Sequence, residues 1–276
     1  MKTLIQLSIL TTTLLFIACK QKSNSATTAM KTVDVITWQK AQTYYIQHMD
    51  KAINYLDNLK QAGVNGTKSK YYFAKAREAF KIAEPFASYL NPEVGHRTNG
   101  PALPVYKEDT GKILYPIGLQ KIEESVYEQD ITDKDFNQEI KITQGLMLVL
   151  KGDMTKRQLT PQRFFRATHQ QLFRLISLDI SGFDTPVSHL GIKETATSLN
   201  SLYKVYEFTL QPSIIKKDAL LDQQFKNSIE NAVKYVENNT NFDTFDRFTF
   251  TRDYLNPITT QWVNIRKTAD IWEPTT

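Results

Sequence analysis

The sequence predicts an all-α protein whose helices pack into a bundle. Apolar residues recur at spacings of three and four along most of the chain. Gly, Pro and Asn cluster between those stretches, and runs with strand-like alternation are few. Hydrophobic residues make up 41% of the 276 positions, with 15 Phe and 13 Tyr, so a sizeable aromatic core is available.

Trp38 to Leu59 carries Tyr45, Met49, Ala52, Ile53, Leu56 and Leu59 on one helix face. Gly63-Val64-Asn65-Gly66 ends that helix, and Ser69 is placed to cap the next. The second helix runs through Tyr72, Phe73, Ala76, Ala79, Phe80 and Ala83. Pro85 is expected to kink or shorten it, and Asn91-Pro92 to terminate it. Residues 91–117 hold Pro92, Gly95, Gly100, Pro101, Pro104, Gly111 and Pro116 and read as a long non-periodic loop. Helical patterns resume at Ile117–Tyr127 and Asp135–Leu150. Thr160-Pro161, a cap followed by proline at the first position, opens another helix that continues to Ile176. Gly182-Phe183-Asp184-Thr185-Pro186 breaks the pattern. Helices are expected over 188–209, 214–237, 243–254 and 257–270, with Asn256-Pro257 separating the last two. Phe242, Phe245, Phe248, Phe250 and Tyr254 are assigned to the core, with an Asp246–Arg247 charge pair beside it. The two broken regions leave room for one bundle or two packed bundle subdomains.

The amino terminus carries an address. Lys2, an apolar run from Leu4 to Leu15 and a small residue at Ala18 have the layout of a secretory signal. The run is short for a membrane span, which needs about 20 apolar residues. Leu15-Phe16-Ile17-Ala18-Cys19 resembles the lipobox of bacterial lipoproteins, with Phe16 where Leu is usual. That resemblance implies cleavage after Ala18 and lipid on Cys19. The division expected is a signal peptide at 1–18, a lipidated tether at 19–32 and a helical domain at 33–276. The anchor implies the cell envelope, with the outer membrane facing the periplasm as the family-level expectation and the membrane as one partner.

Cys19 is the single cysteine, so with lipid on it no disulfide, thiolate nucleophile, Cys-ligated metal site or covalent haem motif is available. The net charge of +5 is modest, no dense Lys/Arg block occurs, and no nucleic-acid partner is expected. His48, His96, His169 and His189 are scattered and form no His-Glu-x-x-His pair. Glu78, Glu84, Glu123, Glu124 and Glu194 sit on helices that could face one another, but the Glu-x-x-His pairs of di-metal bundles are missing. Metal binding stays open, and the residues identify no cofactor. His96 stands out because it lies in the Gly/Pro-rich segment beside Arg97 and Asn99.

Gly118-Leu119-Gln120-Lys121-Ile122-Glu123 resembles the Gly-x-His-x-x-Glu signature of imelysin-like proteins. Around it stand Tyr72–Phe80, Asn91-Pro92 and Asn99-Gly100-Pro101-Ala102-Leu103-Pro104. With Gly182–Pro186, Phe245–Phe248 and Tyr254–Pro257, that order is similar to the helical region ahead of the haem domains in some Bacteroidetes cytochrome c peroxidase-like proteins. The resemblance spans roughly 38–270. It implies an imelysin-like bundle in the envelope, tied to iron acquisition, haem or redox physiology, with an envelope partner such as a haem enzyme. Some family members were named peptidases through the signature His and Glu. Here Gln120 occupies the His position, and glutamine is neither a general base near neutral pH nor a good metal ligand. Non-catalytic binding or an accessory role is therefore the first expectation. A metal-dependent peptidase or hydrolase and a purely structural or interaction module are the alternatives. Arg77, His96, Asn99, Gly118, Gln120 and Glu123 form the candidate polar site. Of these, Arg77, Asn99, Gln120 and Glu123 are expected to meet between the second helix, the 91–117 segment and the third helix.

Overall fold

The computed structural model describes residues 35–128 and 131–271; Cys19 and the tether lie outside them. The described chain is predominantly helical. Helix α1 (35–62) buries Trp38, Ala41, Tyr45, Met49, Ala52, Leu56 and Leu59, the three-four stripe that its sequence spells out. It stops at Gly63, whose φ of +74° suits glycine.

Helix α2 (Ser69–Leu90) is the hub, packing against α3 (Pro92–Asn99), α4 (Leu119–Glu128), α5 (Asp133–Lys156), α6 (Pro161–Arg174) and α7 (Gly191–Thr209). Neighbours on several sides bury charged positions as well as apolar ones, and this builds the site. Ser69 is the first residue of α2 and not its cap; its hydroxyl donates to the Gly63 carbonyl at 2.5 Å. Pro85 neither ends nor shortens α2, which runs on to Leu90. Phe86 and Ala87 are fully buried beyond it, so packing offsets the hydrogen bond that proline cannot make.

Residues 91–117 are more ordered than their Gly/Pro content suggests. Asn91 ends α2 and also caps α3, accepting from Val94 N, with Pro92 in the first turn. A hairpin of β1 (Val105–Lys107) and β2 (Lys112–Leu114) follows, antiparallel with Tyr106 opposite Ile113. Three-residue strands are too short to show an alternating pattern in sequence.

After α6 the backbone widens into a π-helical turn, Leu175–Asp179, which carries Asp179 inward. The helix expected from 188 starts at Gly191, and the next is split into α8 (Gln211–Lys217) and α9 (Ala219–Asn238), with Asp218 capping α9. Asn256-Pro257 does not interrupt the last helix. Helix α10 (Arg247–Thr249), a π turn at Phe250–Leu255 and α11 (Asn256–Thr268) run in succession, with Pro257 directly after the π turn.

The buried apolar side chains form one contiguous cluster from Trp38 to Ile265. Trp262 of α11 meets Phe164, Phe165, Tyr206 and Phe225 and donates its indole N–H to Thr168 Oγ1 at 3.0 Å, tying α6, α7, α9 and α11 together. Phe248, expected in the core, is 69% exposed, with Arg252 over its ring. Asp246 and Arg247 do not pair as expected: Asp246 accepts from Thr249 N as the α10 cap, whereas Arg247 donates to the carbonyls of Ile180 and Phe242.

Candidate functional site

Arg77 and Lys81 are fully buried, one turn apart on α2. A buried cation needs partners, and the surrounding elements supply them. Arg77 makes a two-pronged bond to Glu194 of α7, with Nε and Nη2 at 2.6 and 2.7 Å, and its Nη1 donates to Asn99 Oδ1 at 3.3 Å. The Lys81 ammonium sits among three carboxylates: Asp179 at 2.7 Å, Glu84 at 3.2 Å, and Asp184 in direct contact. Gln171 and Arg174 of α6 close the network, Gln171 donating to Glu84 and Arg174 to Gln171.

The charge states follow from burial and pairing. Burial works against the Arg77 and Lys81 cations, but Glu194 for the first and Asp179, Asp184 and Glu84 for the second outweigh it and raise both. Burial pushes the Asp179 carboxyl well above the usual carboxylate range, against the pull of Lys81. Burial also works to raise Asp184, yet Lys81 and Arg77 hold it below that range. The two acids therefore divide their roles: Asp184 is ionised, and Asp179 takes up a proton most readily. Among the described residues, no three His, Cys, Asp or Glu side chains are placed to hold a metal ion. The three carboxylates that do converge enclose the Lys81 ammonium.

Glu123 and Gln120 share a face of α4 but do different work. Glu123 is fully buried and accepts at Oε1 from Ser188 N at 2.7 Å and Ser188 Oγ at 2.5 Å, while Oε2 has no partner. Burial raises its carboxyl, moderated by Arg77 and Ser188. Gln120 is a staple: its amide donates to the Phe183 carbonyl and its oxygen accepts from Ala102 N at 3.0 Å, joining two loops. Gly118 has φ +99°, and a Cβ there would lie 2.3 Å from the Arg97 carbonyl, so glycine is what lets α4 start against the end of α3.

Beside this network lies a cleft of about 480 Å³. Glu84, Asp184, Asn99 and Gln120 present its polar wall, with Arg174 and the exposed His96 beside them. Leu178, Phe183 and Pro101 supply apolar surface. A second cleft of about 440 Å³ shares Pro101, Gln120 and Phe183 and adds Leu103 and Phe242. The structure thus brings Arg77 and Asn99 into contact, sets Asn99, His96 and Gln120 around one cleft, and puts Glu123 in the field of Arg77 but bonded to Ser188.

Sequence reasoning missed Lys81, Asp179, Asp184, Gln171 and Arg174, and it considered Glu194 only as a metal ligand. One signal was present: Arg77, Lys81 and Glu84 fall at intervals of four and three among Phe73, Phe80 and Ala83, so the charges ride on the apolar stripe. Glu78, considered beside Glu84, is instead a surface partner of Lys75 at 2.6 Å. No family model matches the chain, and no curated protein matches it either.

Proposed function

We propose that the chain is a lipoprotein of the cell envelope, anchored through Cys19 at the outer membrane and facing the periplasm. Its imelysin-like bundle binds a small ligand and does not transform it. The role is accessory to envelope iron, haem or redox physiology, with a haem enzyme as the kind of partner that the sequence resemblance suggests. The carrying observation is the cleft itself: a concave site whose polar wall is held in place by a buried ionic network. Glu123, the acid that a hydrolase would need, is fully buried with one oxygen taken by Ser188, and Gln120 is spent joining two loops. That arrangement favours a rigid receptor over a metal-dependent peptidase.

An interaction module is a second reading, favoured by the exposed Leu103, Tyr106, Ile113 and Tyr115 on and beside the hairpin. The test is incubation of the purified protein with a mixed peptide library and added zinc or manganese. The binding reading expects intact peptides. Turnover that disappears in Glu123→Ala would replace it with the hydrolase.

A further inference from the structure

The first cleft is a charged site whose wall carboxylates are hydrogen-bonded and whose one guanidinium is bonded through a single nitrogen. Glu84 Oε2 already accepts from Lys81 and from Gln171 at 2.9 Å. Asp184 is held by Lys81 and by the Asn99 amide. Arg174 is different. It spends Nε on Gln171 at 2.8 Å, its nearest carboxylate, Glu84, is 3.9 Å away, and its Nη2 is buried without a hydrogen-bond partner. Its side chain remains 18% exposed where it lines the cleft. A guanidinium presents a planar fork that matches a carboxylate.

The acids of the cleft wall already have partners: Glu84 and Asp184 bond to the Lys81 ammonium, and Glu84 also accepts from Gln171. An incoming carboxylate is drawn to the Arg174 guanidinium, whose one carboxylate neighbour stands 3.9 Å away. Phe183 lines the same cleft as Arg174 and Pro101 and stands 68% exposed. An exposed aromatic in a cleft lining is a surface for a flat apolar body.

We infer that the cleft takes a small carboxylate-bearing molecule, its carboxylate held by Arg174 and its apolar body laid against Phe183 and Pro101. This rests on the binding reading above and names the ligand class for that same cleft.

Three probes that share one ring test it on the full chain by ligand-observed NMR titration: benzoate, benzyl alcohol and benzylamine. Benzoate is expected to bind saturably and in preference to the other two. Its affinity should fall about tenfold or more in Arg174→Gln, as loss of a charge-assisted bond implies. Arg174→Lys should restore part of that loss, and Phe183→Ala should weaken benzoate without altering the circular dichroism spectrum. Equal or stronger binding of benzylamine or benzyl alcohol overturns the carboxylate inference and leaves the binding reading standing. The carboxylate inference falls equally if Arg174→Gln folds normally and binds benzoate as well as the parent does. Absence of saturable binding by all three probes overturns the inference; if the native-purified protein also carries no bound molecule, the binding reading falls with it.

Discussion

Replacing Lys81 with methionine isolates the energetics of the site. Methionine keeps much of the volume and removes the ammonium. In the parent, that single charge serves Asp179 at 2.7 Å, Glu84 at 3.2 Å and the adjoining Asp184, all of them buried. Breaking a buried ion pair from one side costs about 3–5 kcal/mol. Burial raises the Asp179 carboxyl, so on losing Lys81 it can take a proton, and the added strain falls on Asp184 and Glu84, with Arg77 4.0 Å from Asp184 as the remaining compensation. A loss of about 3–5 kcal/mol corresponds to a fall in Tm of about 6–20 °C for a domain of this size. The pH dependence gives an independent check. In the parent, Lys81 and Arg77 hold Asp184 below its unfolded value, a contribution present above about pH 4 and lost as pH falls through the folded value. In the variant, Asp184 keeps its burial and loses its nearest cation, so its ionisation penalises the fold as pH rises. The gap between parent and variant should therefore be larger at pH 7.5 than at pH 5. Urea unfolding followed by circular dichroism at both pH values measures it. A variant within about 1 kcal/mol of the parent at pH 7.5, or a gap unchanged at pH 5, would refute the reasoning.

Glu123→Gln tests a buried acid that does not bond to Lys81. Burial raises the Glu123 carboxyl, so the parent is penalised as pH rises from about 4.3 through the folded value. The non-ionising variant should gain stability relative to the parent between pH 4 and pH 7 in thermal melts; a constant difference would contradict this. Gly118→Ala should destabilise by about 1–3 kcal/mol from the left-handed backbone alone, with further loss because the new Cβ would lie 2.3 Å from the Arg97 carbonyl. A denaturation midpoint equal to the parent's would overturn that assignment. Cys19→Ser should abolish incorporation of a fatty-acid analogue in metabolic labelling; unchanged labelling would remove Cys19 as the acceptor.

The helices were legible where one face meets the core and the other meets water. Helix α1 shows this plainly, from Trp38 to Leu59. Legibility failed where local rules met stronger packing. Pro85 lies inside α2, where buried Phe86 and Ala87 hold the turn, and Phe248 is exposed while Phe245 and Phe250 are buried against each other. The site was half legible. Arg77 and Asn99 are in contact as expected, but the resemblance drew attention to Gln120 and Glu123 and away from Lys81. Two of the three partners of Lys81 come from a π turn and a loop 98 and 103 residues further along the chain, and a one-residue register shift after α6 would remove Asp179 from the site. No periodicity in α2 could reveal that.

The most direct test of a non-catalytic receptor built around this cleft is native mass spectrometry of the full chain extracted from its own envelope in detergent. The parent is compared with Gln170→Trp, which places a ring in the cleft from an exposed position on α6. The account predicts a stoichiometric bound molecule on the parent that is absent from the variant. A parent at its bare mass, or an adduct that the filled cleft leaves unchanged, would contradict it.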